Sequence, residues 1–366
     1  MKNIFLASIV FLLSASSYSQ PTYFYITGKV INADTKLPMQ AASVFAQNTT
    51  LGTATDAEGY FKLMLPNGGY DLVISFSGFA TESKRISTVD ADDKNIVIEL
   101  KQKEKVLEDV AVVSTSEVKD GLEKYGWFFI EQFIGKTDNS KNCIIKNKEA
   151  LKFYFSKKRN RLKVLATEPI IIENNALGYN IKYDLDSFTY EYATQQSLYT
   201  GFPLFEEMVP ISNEQKMQWE KLRKQAYKGS VLHFMRSIYQ KKLKENDFEI
   251  QFIIKYSDKE MGVPLKDFYA ALNYRKDDST QIVSISPNQN NIGVIYTKEK
   301  PVQSFLNENP NEPSEFQFSI LSVAPQQSFF IEQNGYFFEQ NNITINEYLS
   351  WFKLADAVPY DYNEEL

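Results

Sequence analysis

The stretch that decides the fold of the larger domain runs from Trp219 to Leu243, W-E-K-L-R-K-Q-A-Y-K-G-S-V-L-H-F-M-R-S-I-Y-Q-K-K-L. Its apolar periodicity predicts two consecutive helices. Ser212 and Gln215 form a capping box at the start of the first helix. Gly229 is typical of a helix end, and Ser230 is typical of the N-cap that follows. We therefore expect this helical pair to be the scaffold of the second domain.

The second helix carries the only histidine of the chain, His233. At about 100° per residue, His233, Arg236, Ser237 and Gln240 lie opposite the apolar face, so His233 is expected outside the core. A solvated face is one interpretation, but such a face usually carries lysine and glutamate. These residues suit a face that packs on polar backbone or lines a groove. The candidate binding residues are Arg223, Tyr227, Ser230, His233, Arg236 and Gln240.

The composition limits the class of protein. The chain has 366 residues, of which 43% are hydrophobic, enough for two domains with their own cores. Its 40 Lys and Arg against 46 Asp and Glu give a net charge of −6. This balance argues against a nucleic-acid partner, because phosphate contacts require a basic surface.

The first residues predict export. A short positive start, Met1-Lys2-Asn3, precedes the apolar run Ile4 to Leu13, and Ser17-Tyr18-Ser19 resembles a cleavage site. Residues 1–19 are therefore predicted to be a signal peptide, with the mature chain starting near Gln20. The expected location is the periplasm or the outer membrane, or outside the cell. We expect no cysteine-linked lipid anchor and no transmembrane helix in the mature chain.

Cys143 is the only cysteine, so no intramolecular disulfide can form. Its apolar neighbours in Asn142-Cys143-Ile144-Ile145 indicate a buried side chain rather than a nucleophile.

From Ile26 to Leu100, apolar residues recur at every second position, and turn residues such as Pro66-Asn67-Gly68-Gly69 separate the segments. Short half-buried strands at this spacing predict an antiparallel β-sandwich.

These residues also resemble a known family, the carboxypeptidase regulatory-like module. The matching motifs are Gly28-Lys29-Val30, Asp34-Thr35, Leu37-Pro38, Ala42-Ser43-Val44, Gly52-Thr53, Thr55-Asp56, Gly59-Tyr60-Phe61, Leu65-Pro66, Gly69-Tyr70 and Ser75-Phe76-Ser77-Gly78-Phe79. The resemblance implies a transthyretin-like (prealbumin-like) sandwich without peptidase activity, common in envelope proteins of Bacteroidetes-type bacteria. Val106 to Val113 resembles the strand that often follows this module.

The remaining chain combines helical and strand-like segments. Leu122 to Phe133 predicts a short helix, and Tyr179 to Tyr183 and Phe188 to Tyr192 predict two strands. Tyr199 to Phe205 predicts an aromatic loop that either stacks on a ligand or folds over its own core. The fold class is thus an N-terminal all-β sandwich plus a larger, strand-rich α+β domain with a central helical pair. The predicted boundaries are 1–19, 20–115 and 116–366.

The second domain resembles segments that follow this module in uncharacterised Bacteroidetes envelope proteins. The shared motifs include Phe133-Ile134-Gly135-Lys136-Thr137, Leu177-Gly178-Tyr179, Ala226-Tyr227-Lys228-Gly229-Ser230 and Pro359-Tyr360-Asp361-Tyr362. The resemblance implies an architecture and a compartment, but no activity.

The sequence lacks the residue sets that several classes of enzyme require for catalysis. One histidine cannot supply a zinc peptidase site, so the protein is not expected to be a metallocarboxypeptidase, and no metal or other cofactor is expected. Ser230 and His233 lie one helical turn apart and suggest a serine hydrolase, although no nucleophile elbow is present. Carboxylates such as Glu173, Asp184 and Asp186, or Glu206 with Glu207, suggest a glycosidase but are also typical of surfaces.

The hypothesis from the sequence is a non-enzymatic envelope protein that binds another envelope protein or a cell-surface polysaccharide. The alternatives are an envelope hydrolase with a Ser230/His233 or carboxylate centre, and a structural subunit of an outer-membrane complex.

Overall fold

A computed structural model describes residues 23–88, 96–103, 117–257 and 259–364. The N-terminal module has seven strands in the described range: Tyr23–Asn32 (β1), Ser43–Ala46 (β2), Gly52–Ala54 (β3), Tyr60–Pro66 (β4), Gly69–Ser75 (β5), Glu82–Ser87 (β6) and Ile96–Leu100 (β7). They form two sheets with the orders β4-β1-β7 and β3-β2-β5-β6. The predicted sandwich is confirmed.

The alternation of apolar and polar residues along the strands places every second side chain inside the sandwich. Phe24, Ile26 and Val30 of β1 are buried against the apolar residues of β4 and β5. Strand pairing in the described sheets is antiparallel except between β1 and β7, which run parallel. The predicted signal peptide, the strand at 106–113 and the boundary near 115 lie outside the described residues.

A long strand organises the middle of the chain. The elements here are Gly121–Phe133 (α1), Cys143–Ile145 (β8), Leu151–Ser156 (β9), Arg161–Ala166 (β10), Ile170–Asn174 (β11), Tyr179–Glu191 (β12) and Gln196–Glu207 (β13). β12 pairs with β11 along its first half, with β10 along its second half and with β13 along its whole length. Phe129 and Phe133 of α1 are buried against this sheet.

The helical pair follows as predicted, at Asn213–Tyr227 (α2) and Val231–Tyr239 (α3). The Ser212 hydroxyl accepts the Gln215 amide at 3.2 Å, and the Gln215 side chain accepts the Ile211 amide at 2.8 Å. Gly229 has a φ of +72° between the helices, and Ser230 caps α3. Local capping chemistry therefore fixes both helix starts.

The C-terminal part adds two antiparallel sheets. Its elements are Phe248–Tyr256 (β14), Lys259–Pro264 (β15), Phe268–Ala271 (α4), Arg275–Lys276 (β16), Val283–Ile285 (β17), Asn291–Tyr296 (β18), Gln303–Glu308 (α5), Gln317–Val323 (β19), Phe329–Ile331 (β20), Phe337–Phe338 (β21), Ile343–Glu347 (β22) and Tyr348–Trp351 (α6). The sheet orders are β15-β14-β18-β19-β22 and β16-β17-β20-β21. The strand-rich α+β class is confirmed.

The described residues form three clusters of buried apolar side chains. One lies inside the sandwich, one between α1 and the sheet around β12, and one between α3 and the two C-terminal sheets. The region after residue 116 thus contains two of these cores, joined by α2 and α3.

Two local predictions are wrong. Tyr199 to Phe205 is not a loop but part of β13, and the two strands expected at 179–192 are one strand with a register shift between Leu185 and Ser187. β13 forms a ladder with β12 alone among the described strands, so Pro203 is tolerated there because no second ladder needs its missing N–H.

Candidate functional site

Arg223 of α2 is buried, with 9% of its surface exposed. Its guanidinium donates to the carbonyls of Leu177 and Gly178 at 2.7 and 3.0 Å, and to the Glu207 carboxylate at 3.1 Å. The group also stacks over the Tyr179 ring, 4.0 Å from its centroid. Arg223 therefore fixes the turn between β11 and β12 onto the helical pair.

Arg236 of α3 holds the C-terminal segment. Its three guanidinium nitrogens donate to the carbonyls of Asn334 at 2.9 Å, Tyr362 at 2.9 Å and Tyr360 at 2.8 Å. Tyr227 packs between Arg236 and Tyr362, with ring centroids 5.5 Å apart for the tyrosine pair. The polar face of the helical pair thus packs against the backbone of residues 360–362 of the same chain.

His233 is a core residue, and the expectation of a non-core histidine is wrong. Only 7% of its surface is exposed, and its ring packs against Tyr227, Phe248 and Tyr296. The Gly229 amide donates to Nδ1 at 3.2 Å. Burial lowers the pKa of His233 to about 4, so the ring is neutral at pH 7.

Ser230 and His233 do not form a catalytic pair in this geometry. The Ser230 hydroxyl accepts the His233 backbone amide at 3.2 Å, while the imidazole accepts the Gly229 amide. Each side chain thus bonds to backbone rather than to the other, as expected of a helix cap and a core histidine. Gln240 ends α3 with an exposed side chain.

Of the six candidate residues, Tyr227 and Arg236 contact the C-terminal segment, and His233 packs on Tyr227, whereas Arg223 bonds to the turn before β12. Only Arg223 also lines a large cavity.

That cavity, which we call the junction cleft, has a volume of about 600 Å³. Its lining residues are Thr50, Tyr179, Glu207, Met217, Glu220, Lys221, Arg223, Lys224, Pro359, Asp361, Tyr362, Asn363 and Glu364. The volume is in the range of ordinary ligand sites. The cleft combines polar groups from the module, β12, β13, α2 and the C-terminal segment.

The N-terminal module forms one wall of the cleft through the turn between β2 and β3. Thr50 donates its amide to the Asp361 carboxylate at 2.9 Å, and its hydroxyl bonds to the same group. Asn48 accepts the Tyr360 amide at 2.6 Å, and Thr49 accepts the Phe205 amide at 2.9 Å. These bonds join the module to β13 and to the C-terminal segment.

Most charges in the cleft are paired. Glu207 pairs with Arg223 at 3.1 Å, and Glu364 pairs with Lys224 at 3.1 Å. Lys221 is exposed and forms no ion pair or hydrogen bond with any described residue. It is therefore available to an external partner.

Exposed apolar side chains accompany the cleft. The loop between β13 and α2 exposes Val209 by 88% and Ile211 by 91%, and Met217 in α2, which lines the cleft, is 61% exposed. We call Val209, Ile211 and Met217 the apolar rim. Large apolar side chains this close in the chain and this exposed are typical of interaction sites.

A second polar network between module and C-terminal part escaped the sequence analysis. Arg85 of β6 pairs with the buried Glu332, and its guanidinium stacks on Phe338, 3.4 Å from the ring centroid. The Tyr336 hydroxyl donates to Asp71 at 3.0 Å, and burial raises the pKa of Asp71. Residues so distant in the chain show no pattern from which the contacts could be predicted.

Burial shifts the pKa values of two further titratable groups, Asp356 and Cys143. Asp356 accepts hydrogen bonds from Thr137 and Asn139, and burial raises its pKa to about 6. Cys143 is partly buried with a pKa raised to about 12, also by burial, so its thiolate is scarce at pH 7.

No group of three or more potential metal ligands occurs in the described ranges. No helix in those ranges is both long enough and apolar enough to cross a membrane.

A family model matches the N-terminal module, and several solved structures align with this chain. A search of curated proteins finds no match. A DUF3823 family protein from Bacteroides ovatus ATCC 8483 aligns over 51% of this chain and 82% of its own, with 11% identity and a TM-score of 0.17. A 9R-lipoxygenase from Cyanothece PCC8801 aligns over 59% and 48%, with 9% identity and a TM-score of 0.17. Similarity at these TM-scores supports no argument. Residues 26–112, however, match the family model of the CarboxypepD_reg-like domain, which agrees with the sandwich seen here.

Proposed function

We propose that this protein is an exported, non-enzymatic binding protein of the cell envelope, which holds a segment of a partner protein in the junction cleft. Export is inferred from the signal-peptide pattern of residues 1–19 and from the module at residues 26–112. The observation that carries the binding role is the exposed Met217 one helical turn from the unpaired Lys221, with Val209 and Ile211 exposed in the loop before α2.

A protein partner fits this surface better than a neutral polymer does. Protein interfaces combine a small apolar centre with a polar surround. Here the apolar rim supplies the apolar centre, and the charged residues on the exposed side of α2 supply the polar surround. Lys221 adds an unpaired positive charge, so the partner segment is expected to carry an acidic group next to an apolar side chain.

The cleft is prepared for binding by the folded chain itself. Arg223 and Arg236 fix the turn before β12 and the C-terminal segment, which form two walls of the cleft. A preformed cleft reduces the entropy that binding must offset. In this proposal, Arg223 and Arg236, two of the six candidate residues from the sequence, hold the walls of the cleft in place. The residues that contact the partner are Met217 and Lys221.

The test is crosslinking of the tagged mature protein in its own cells, followed by titration of the recovered partner with purified protein. The double variant Met217→Asp/Lys221→Glu changes two exposed residues of α2 and should weaken binding at least tenfold. The matched control is Met261→Asp/Lys266→Glu, which changes exposed residues that do not line the cleft.

Equal binding by the two double variants would contradict the proposed site. Recovery of a mature chain that still contains residues 1–19, measured by mass spectrometry, would contradict export.

A further inference from the structure

The outer face of the sheet β16-β17-β20-β21 carries a separate cavity of about 460 Å³, which we call the sheet pocket. Its lining includes Arg275, Ser284, Phe330 and Phe338, together with Asp277, whose carboxylate accepts hydrogen bonds from Ser279 and Thr280. None of them lines the junction cleft. The inference below is therefore independent of the proposed function.

Strand register aligns four of these residues in one row. Arg275 pairs with Ser284, Ser284 with Phe330, and Phe330 with Phe338. Residues directly opposite each other on neighbouring strands project to the same face of a sheet. Their sequence neighbours Val283, Ile285, Phe329 and Ile331 are buried on the other face. The row therefore lines the outer surface, across all four strands.

The small side chain of Ser284 leaves a slot in this row. The rings of Phe330 and Phe338 are stacked, with centroids 4.8 Å apart and an interplanar angle of 12°. Phe338 thus covers one face of Phe330, and the other face is turned towards Ser284. Because neighbouring strands lie about 4.8 Å apart, Arg275 and Phe330 flank a gap of about 9–10 Å between their strands.

Both polar walls of the slot have unused hydrogen-bonding capacity. Neither the Arg275 guanidinium nor the Ser284 hydroxyl bonds to any described residue, although both line the pocket. The aromatic wall is fixed, since Arg85 stacks on Phe338 and pairs with Glu332. A guanidinium binds a carboxylate through two parallel hydrogen bonds of about 2.7–2.9 Å. A ring in van der Waals contact with Phe330, at about 3.5–4.0 Å, fits the remaining width.

We propose that the sheet pocket binds a six-membered ring, pyranose or aromatic, that carries a carboxylate and presents an apolar face to Phe330. The ring stacks on the open face of Phe330, the carboxylate pairs with Arg275, and Ser284 bonds to a polar substituent. Two sources share this chemistry: a uronic acid unit of a polysaccharide and a free aromatic acid.

The experiment titrates the full mature protein with trigalacturonate, with the fully methyl-esterified trimer and with benzoate, using calorimetry and saturation-transfer NMR. Trigalacturonate is expected to bind at least tenfold more tightly than its ester, because esterification removes the charge that Arg275 recognises. Binding of benzoate with no binding of trigalacturonate would assign the pocket to free aromatic acids.

Two variants locate the site. Arg275→Gln removes the unpaired cation, and Ser284→Leu fills the slot without changing charge; each should weaken acid binding at least tenfold. Arg159→Gln is the matched control, because Arg159 is exposed and distant in the chain from the pocket. Thermal unfolding of each variant checks that the fold is retained. The proposal is overturned by binding of acid and ester with equal affinity, by unchanged binding in both variants, or by binding of neither acid.

Discussion

Replacing Arg236 with methionine should destabilise the protein by detaching the C-terminal segment. The change keeps an unbranched side chain, although a shorter one, and removes three hydrogen bonds, to Asn334, Tyr360 and Tyr362. Each carbonyl that loses a donor in a partly buried site costs about 1 kcal/mol. We therefore expect the free energy of unfolding to fall by about 2–4 kcal/mol, a large share of the 5–15 kcal/mol typical of domains.

Urea unfolding, monitored by fluorescence, measures the global effect. Hydrogen exchange at the amide of Tyr360, which donates to Asn48, measures the local effect. Arg236→Lys should recover part of the loss, since an ammonium retains the charge but reaches fewer carbonyls. Arg159→Met is a matched control on an exposed arginine whose side chain has no partner within the described ranges. If Arg236→Met left both stability and exchange unchanged, the scaffold role of this residue would be refuted.

Three further predictions test the same scaffold. Burial lowers the pKa of His233 to about 4 from 6.5, so below pH 6.5 the unfolded chain takes up a proton that the folded chain excludes. Between pH 7 and 4.5 the wild type should therefore lose about 2 kcal/mol more stability than the variant His233→Asn. The asparagine amide can accept the Gly229 hydrogen bond but does not titrate. Parallel pH profiles of stability for the two proteins would refute this. The comparison cancels Asp356, whose pKa is raised to about 6 and which therefore contributes with the opposite sign. Gly178→Ala should destabilise the protein by about 1–3 kcal/mol, because Gly178 has a φ of +69° and lies against Trp219, and a neutral effect in urea unfolding would contradict this packing. Thr50→Val should leave the module folded but speed proteolysis between the module and the rest, since it removes a hydroxyl bond to Asp361, and an unchanged cleavage pattern would argue against that contact.

The helical pair was predictable because its signals are local. Ser212, Gln215, Gly229 and Ser230 determine helix starts and ends through bonds to backbone a few residues away. The sandwich was predictable for a similar reason, since the alternation in β1 and β4 is continuous and turn residues separate the strands.

The strand β13 was not predictable from its own residues. Gly201 and Pro203 indicate a turn, yet Asn48 of the module donates to the Pro203 carbonyl at 2.8 Å and Gln47 donates to the Gly201 carbonyl at 3.1 Å. These long-range bonds stabilise an extended conformation that local preferences disfavour.

The contacts of α3 were predictable in part. The polar face of α3 indicated contact with polar backbone, and the structure shows which backbone it is. The burial of His233 could not be foreseen, because helical periodicity does not reveal that Tyr227, Phe248 and Tyr296 pack around its ring. The exposed Met217 and Lys221 carry no distinguishing pattern in the sequence.

The most direct test of the central claim is photo-crosslinking from single positions to the partner recovered from cells. A photoreactive amino acid at position 217, in the junction cleft, should crosslink to the partner, and one at position 261, on the exposed β15, should not. Excess unlabelled protein should suppress the crosslink, whereas excess of the Met217→Asp/Lys221→Glu variant should not. Crosslinking from position 261 and not from 217 would contradict binding in the junction cleft and move the interface to the C-terminal sheets.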